Sequence, residues 1–422
     1  MLTTIVEWTF LVLIFSLAFM RPSVFLLGST AVATDFIFLA CAVLFAVAVA
    51  FRHASFEFDR AYIWLGIYAL ALTLSALLSI DNVRSIRRLP AELYLIGLAA
   101  ITLNIVRSEQ MLIRTLIVWL AAGTVAALVP TVTAVSFYIG WDNPLAAFAM
   151  HHYGTLPPGN YPRIQGTFEY PAMLCNYLTV GLMMLFAFWR SERIGTVVFF
   201  ALLVVFSVAI FFTLTPGIGG VLAAIGLWFY FAGRSEDNVK PKLALAGVIA
   251  AIAAFVIVSS ITPFGTSGPV YFSLAGYDIT PTARLLVWQQ ALATIASHPL
   301  FGVGLGLPVV DLAYRVPAGA WTLITDAHNV ALNVAAQAGI VGASALTAVV
   351  IAVMKRAGFS SADRSELSSV RLAMGVAFVS CLVIQGFAGS FENARHLWVL
   401  IGLIVAADRL NQTKRQTEEL HA

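Results

Sequence analysis

Leu243 to Ile261 reads LALAGVIAAIAAFVIVSSI, a run of 19 residues that carries no charge and has its only hydroxyls near the end. As a helix it would be ~28 Å long, close to the ~30 Å hydrocarbon core of a bilayer. It has no polar face with which to meet water, so it suits lipid and not the surface of a soluble domain. The pattern recurs along the chain, at Ile5 to Met20, Phe36 to Phe51, Ala61 to Ile80, Leu89 to Val106, Leu112 to Ile139, Pro171 to Trp189, Gly195 to Thr213, Gly217 to Phe231, His328 to Met354, Leu372 to Phe387 and His396 to Leu410. Twelve such segments predict an all-α polytopic membrane protein, a single membrane domain over residues 1–422.

Composition points the same way. Of the 422 residues 60% are hydrophobic and 11% charged, where soluble chains carry about 25% charge. A net charge of +3, from 24 Lys and Arg against 21 Asp and Glu, is too small for the dense basic face that nucleic acid demands, so no nucleic-acid partner is expected. Cys41, Cys175 and Cys381 lie in apolar runs at no metal-ligand spacing, which predicts neither disulfides nor a zinc site. An even number of spans places both termini on one side. With the N-terminus inside, 16 Lys and Arg fall inside and 8 outside, so the positive-inside rule gives N-in and C-in. Arg84, Arg87 and Arg88 run against the rule as a basic cluster in an outer loop: either that loop engages an anion or the local topology differs.

Two outer loops are too long to be simple connectors. The first, residues 140–170, holds Pro144, Pro157, Pro158 and Pro162 and the run His151-His152-Tyr153. The second, residues 262–327, contains a stretch near 282–297 with Arg284 and Trp288 on one face and Gln289, Gln290 and Thr294 among its polar residues, the pattern of a helix at the membrane surface. Most spans lack Asp, Glu, Lys and Arg altogether. Ion- or proton-coupled transporters need such groups near the midplane, so that class loses weight.

The charges that remain cluster at the outer ends of helices: Arg163, Glu169, Arg284, Asp326, His328, Glu392 and Arg395. Asp326 is placed to cap the helix that follows it, with His328 in the first turn. A neutral histidine there can act as a general base, or it can be an interfacial residue without a role. Arg163 and Arg284 have no acidic neighbour in sequence. They can snorkel or pair at the surface, with Glu169 or Asp278 as partners, or converge on a diphosphate, which guanidinium forks bind bidentately. Gly302, Gly304 and Gly306 follow no strand, so they read as close backbone packing at a bend and not as a dinucleotide loop. His298, His151, His152 and His396 stay unassigned.

Several of these pieces together resemble the O-antigen ligase and polymerase superfamily of bacterial membrane glycosyltransferases. They are Arg163-Ile-Gln-Gly-Thr-Phe before a Pro-initiated span, Arg284-Leu-Leu-Val-Trp288 followed by His298-Pro-Leu-Phe-Gly-Val-Gly, Asp326-Ala-His328-Asn329 with Gln337-Ala-Gly339-Ile-Val-Gly342 a helix-length on, and Arg395-His-Leu-Trp398. The resemblance runs from about residue 60 to 410. It implies a GT-C-like enzyme in the bacterial plasma membrane, with its site facing outward. It would move a glycan from undecaprenyl diphosphate to a hydroxyl of a lipid or glycan acceptor, without metal or other cofactor. Carried over, Arg163 and Arg284 hold the diphosphate, His328 activates the acceptor, and Asp326, Asn329 and Arg395 join the substrate-binding set. Many relatives carry Ser-Arg-Gly where this chain has Thr215-Pro216-Gly217, and Glu where Gln337 stands. A transporter or flippase of lipid-linked saccharides is the alternative, with the arginines binding headgroup and His328 incidental.

Overall fold

The computed structural model describes residues 1–26, 29–141, 144–151, 163–233, 239–262, 270, 272–274, 276–315, 321–359 and 365–421. Its helices are α1 (Leu2–Ser16), α2 (Ala33–Ala50), α3 (Ala61–Leu77), α4 (Asn82–Ile105), α5 (Glu109–Tyr138), the single turn α6 (Ala146–Ala149), α7 (Pro171–Arg190), α8 (Thr196–Phe212), α9 (Gly217–Ala232), α10 (Val239–Ser260), α11 (Ala283–Ser297), α12 (Val330–Arg356), α13 (Glu366–Phe378) and α14 (Arg395–His421). Each of the expected spans falls on helix, the one at Leu372 to Phe387 on α13 and its irregular continuation. Among the described residues, seven helical stretches are long and apolar enough to cross a membrane, and α1, α3, α8 and α9 are shorter apolar helices. This is the make-up of a polytopic membrane protein. His152, Tyr153, Pro157, Pro158 and Pro162 of the first long loop lie outside the described residues, as do parts of the second.

The helix surfaces say which solvent they face. On α8, Phe199, Phe206, Ala209 and Ile210 are buried, while Val197, Phe200, Val204 and Phe211 stay exposed. A helix apolar on both its packed and its free side is stable only where the free side meets hydrocarbon. Caps close the helices that need them: Ser108 accepts from Met111 N at 3.1 Å and starts α5, and Pro171 opens α7, where its missing N–H costs nothing. Inside, α3 packs on α12, α4 on α14, and α7 on α13. Cys41, Cys175 and Cys381 are free and buried.

The helix α13 does not run on regularly. It passes into a π-helical stretch, Val379–Ile384, and a 3₁₀ turn, Gln385–Ala388. Side chains from α7 support the irregular part: Asn176 Nδ2 donates to Cys381 O at 3.0 Å and to Gln385 Oε1 at 3.2 Å, and Gln385 Nε2 donates to Thr179 Oγ1 at 3.0 Å. A lipid-buried backbone that leaves the α-pattern has to find such partners within the protein. His396, fully buried, joins the group 2.7 Å from Asn176 Oδ1.

Two local expectations change. α4 starts at Asn82, capped by Asp81, whose carboxylate accepts from Arg84 N at 3.0 Å. Arg84, Arg87 and Arg88 therefore sit on the first two turns of a helix and not in a loop. The connections also carry short strands: between α1 and α2, β1 (Ser23–Leu26) pairs β2 (Ser29–Val32), and in the long loops β3 (Met150–His151) pairs β4 (Arg163–Ile164), β7 (Tyr277–Pro281) pairs both β5 (Ile261–Thr262) and β6 (Phe272–Leu274), and β8 (Leu312–Arg315) pairs β9 (Trp321–Ile324). All of these pairings are antiparallel. A helix is present near 282–297, as expected, and is α11.

Candidate functional site

Where α12 breaks, the site acquires its frame. Gly339 has φ 64° and ψ −170°, outside the helical region. In an unbroken helix the amides of Ile340 and Val341 would bond the carbonyls of Ala336 and Gln337. Here the segment after α11 is spliced between them. Ile340 N donates to Pro299 O at 2.8 Å and Val341 N to Leu300 O at 3.3 Å, while Val303 N donates to Ala336 O at 2.9 Å and Gly304 N to Gln337 O at 3.0 Å. All four groups are satisfied, as a break inside a membrane protein requires. The splice is too tight for side chains: a Cβ on Gly304, at φ +121°, would lie 1.8 Å from Ser79 Oγ, and one on Gly339 would lie 2.1 Å from Leu300 O. The glycine run is thus the close backbone packing that its sequence suggested.

At the start of α12 the cap differs from expectation. Asn329, not Asp326, is the N-cap: its Oδ1 accepts from Leu332 N at 3.1 Å and its Nδ2 donates to Phe387 O at 3.0 Å. The reason is the turn before it, where His328 takes φ 45° and delays the helix. Asp326 is left to grip the histidine: Oδ1 accepts from His328 N at 3.2 Å and also pairs with His328 Nδ1. Burial pushes the Asp326 carboxyl up, but hydrogen bonds and charge from His328 outweigh it and bring it below its ordinary value. Asn329, expected on the substrate, has both ends of its amide engaged by the fold.

Ala327, just before the histidine, packs with Val287, Trp288 and Ala291 of α11. Trp288 meets Phe387 edge-on at 4.7 Å between ring centroids. These contacts hold the Asp326–His328 turn against the part of α11 that follows Arg284. Arg284 itself is half-buried, and its Nε has no hydrogen-bond partner among the described residues. Its pKa is lowered to about 10, by burial first and then by the charge of Arg163. Arg163, 121 positions away in sequence, is thus near enough for its charge to act on Arg284. Arg163 reaches this place from β4, next to α5 and α8.

Arg395 is in a different situation. Its Nε and Nη2 donate to Asp35 Oδ1 and Oδ2 at 2.8 and 2.9 Å, and the guanidinium sits 5.8 Å from the Tyr94 ring centroid. Its fork, expected on the substrate, is filled by the protein, and it ties α14 to α2.

Three residues outside the expected set complete the arrangement. Glu392 is buried and accepts from Asn333 Nδ2, whose side-chain oxygen in turn accepts from Ala327 N at 3.1 Å. Burial pushes the Glu392 carboxyl up to about 8, with Glu92 and Asp326 adding to the shift. Gln337 Oε1 accepts from Gly306 N at 3.3 Å. Glu392 stood out in sequence as an outer charge, whereas nothing marked Asn333 among the apolar residues of its span. Among the described residues no group of three or more His, Cys, Asp or Glu is placed to hold a metal ion. A cleft of about 640 Å³ at the far end of α7, lined by Trp189, Arg190 and Trp228 among others, includes none of these site residues.

Fold and site together define a helical membrane protein that gathers two guanidiniums and a carboxylate-held histidine at one end of its bundle. The O-antigen ligase family model (Wzy_C) matches residues 201–347, and the match supports assignment of the chain to the O-antigen ligase and polymerase superfamily. The matched stretch runs from α8 through the break in α12 and includes Arg284, Asp326, His328 and Asn329; Arg163, Glu392 and Arg395 lie outside it. The family implies glycosyltransferase activity of the ligase or polymerase type, on lipid-linked glycans in a bacterial membrane. None of the curated proteins compared matches the chain.

Proposed function

We propose that the protein transfers a glycan from undecaprenyl diphosphate to an acceptor hydroxyl at the outer face of the plasma membrane. The carrying observation is the charge of Arg163 acting on an Arg284 that has no ion-pair partner among the described residues, with the Asp326–His328 turn packed on the same helix α11 through Ala327. Two cations held together in a half-buried place favour an anion between them, and a diphosphate matches two guanidinium forks.

The reaction follows from those positions. With Nδ1–H given to Asp326, His328 carries its lone pair on Nε2. Nε2 takes the proton of the acceptor hydroxyl as its oxygen bonds to the anomeric carbon. The bond from that carbon to the diphosphate oxygen breaks, and its electron pair leaves with the polyprenyl diphosphate. Arg163 and Arg284 stabilise the charge that develops there, in a place where preorganised donors count for more than in water. A single displacement of this kind inverts the anomeric configuration and uses no metal. Asn329, Asn333 and Arg395 act on this reading as positioning residues. Twelve spans with both termini inside would turn this end of the bundle outward.

Purified protein incubated with a defined polyprenyl-diphosphate oligosaccharide, with and without a lipid acceptor, tests the reading. Product made on the donor alone identifies a polymerase; transfer that needs the lipid identifies a ligase. Arg284→Ala and His328→Ala should each lower the rate about 10²-fold or more. Full product from correctly inserted variants would exclude this site.

A further inference from the structure

Inside the bundle, four uncharged polar side chains have no part in that reaction. Asn176 and Thr179 of α7, Gln385 and His396 are all buried. Polar groups in such a place are tolerated only where each finds a partner, and an apolar continuation of α13 would need none of them. Their effect is on the shape of the backbone. The π-helical stretch and the 3₁₀ turn are where α13 departs from the α-pattern, and π-bulges inside helices fall frequently at functional sites.

Gln385 is fixed from three helices. Its Oε1 accepts from Asn176 Nδ2 and its Nε2 donates to Thr179 Oγ1, both on α7. Its stem is pressed against α9, where a Cβ added to Gly220 would collide with Gln385 Cγ. Asn176 is itself held by α14. Its Nδ2 donates to Cys381 O and to Gln385, so its Oδ1 is the acceptor, and His396 Nε2 donates to it at 2.7 Å.

The next two residues carry this position to the site. Gly386 lies against Val330, the first residue of α12, where an added Cβ would come 3.0 Å from Val330 Cγ2. Phe387 O accepts from Asn329 Nδ2, and the oxygen of the same amide caps α12 beside His328. At about 2 Å of rise per residue in a 3₁₀ turn, Gln385 and Phe387 are only ~4 Å apart along its axis. His328, at φ 45°, keeps a conformation that non-glycine residues hold only where their surroundings over-determine it. Asp326 grips it from one side and the Asn329 cap follows on the other.

We propose that Gln385 is a positioning residue for the transfer reaction: through the 3₁₀ turn that it starts, it holds the Asn329 cap and with it the left-handed turn at His328. The proposal rests on the transfer reading above. The Phe387 ring also meets Trp288, but α11 is held besides by a buried cluster in which Val287, Trp288 and Ala291 pack with Val303, Val309 and Ala327. Loss of the Gln385 contacts therefore falls on the histidine, which acts in the chemical step, more than on Arg284, which binds the donor.

Two readouts on the full-length protein test this. Gln385→Met keeps the length of the side chain and removes both of its hydrogen bonds. Hydrogen exchange of the segment 327–333, followed by mass spectrometry, should become about fivefold faster, the loss expected for a weakened N-cap. With a defined polyprenyl-diphosphate oligosaccharide as donor, kcat should fall roughly tenfold, as for a slightly displaced catalytic group, with KM for the donor unchanged. Added to Asn329→Ala, Gln385→Met should lower kcat no further, because the two lie on one route. Thr179→Val, which removes only the acceptor of Gln385 Nε2, should show the same changes at smaller size, and it carries the test if Gln385→Met yields no folded protein. Unchanged exchange in 327–333 would overturn the link from Gln385 to the cap. Faster exchange with kcat unchanged, a loss seen in KM alone, or effects of Gln385→Met and Asn329→Ala that multiply would overturn the positioning role. Full product from His328→Ala would instead refute the transfer reading, and it is distinct because exchange is read without turnover.

Discussion

Glu392 offers a quantitative test of the framework behind His328. Replacement by Gln keeps the oxygen that accepts from Asn333 Nδ2 and removes the ionisable group. In the wild type, burial raises this carboxyl from its ordinary 4.5 to about 8. Between those values the folded protein binds the proton more tightly than the unfolded chain. The associated stability is complete below about pH 4.5, declines as pH rises, and is lost above about pH 8. Over the whole window it amounts to about 5 kcal/mol. For a chain of 422 residues, the unfolding entropy per residue converts this to roughly 5 °C. The assay is the apparent Tm in detergent between pH 4.5 and 8.5, for wild type and Glu392→Gln. Wild-type Tm should fall by about 5 °C more than that of the variant, and the variant should be the more stable protein at the alkaline end. Parallel curves would refute the reasoning, because they would mean that Glu392 ionises in the folded protein as it does in water.

Two further outcomes test the packing. Gly304→Ala should abolish the folded, monodisperse yield seen by fluorescence-detected size exclusion, since the new Cβ would fall 1.8 Å from Ser79 Oγ at φ +121°; Gly140→Ala, at φ +73° with nothing within 4 Å, should cost only about 1 kcal/mol. Asp35→Asn should destabilise by about 3–5 kcal/mol because it leaves the Arg395 guanidinium without its counter-charge, and Asp35→Asn/Arg395→Gln should recover part of that loss in a Tm-based double-mutant cycle; additive effects would mean the ion pair does not couple α2 to α14.

The helices could be read from sequence because the bilayer imposes one requirement on every span, a sufficient apolar length, and composition reports it directly. Leu243 to Ile261 needs no partner in order to be recognised. The pair Arg163 and Arg284 was recognisable for a related reason: a cation that stays at the end of an apolar span without a nearby carboxylate has to be accounted for. Their proximity was not legible, since it depends on how β4 and α11 approach one another across the top of the bundle.

Arg395 and Asn329 differ from expectation for one cause, a deciding partner far away in sequence, whereas Asp326 yields the cap to its near neighbours His328 and Asn329. Asp35 pairs with Arg395 across 360 positions, and Asn329 donates to Phe387 O across 58. Sequence spacing reports interactions within one helix, whereas a membrane protein satisfies its scarce polar groups between helices. The break at Gly339 shows the consequence. A glycine in an apolar run reads as a small residue at a helix contact, but here two carbonyls and two amides are exposed at once and a segment some 40 residues upstream supplies all four partners. That segment also sets the floor beneath Arg88 and the position of the turn carrying His328. A substitution at Gly302 or Gly304 should therefore disturb the start of α4 and the site together, although its new side chain would meet Gln337 or Ser79 and neither an arginine nor the histidine.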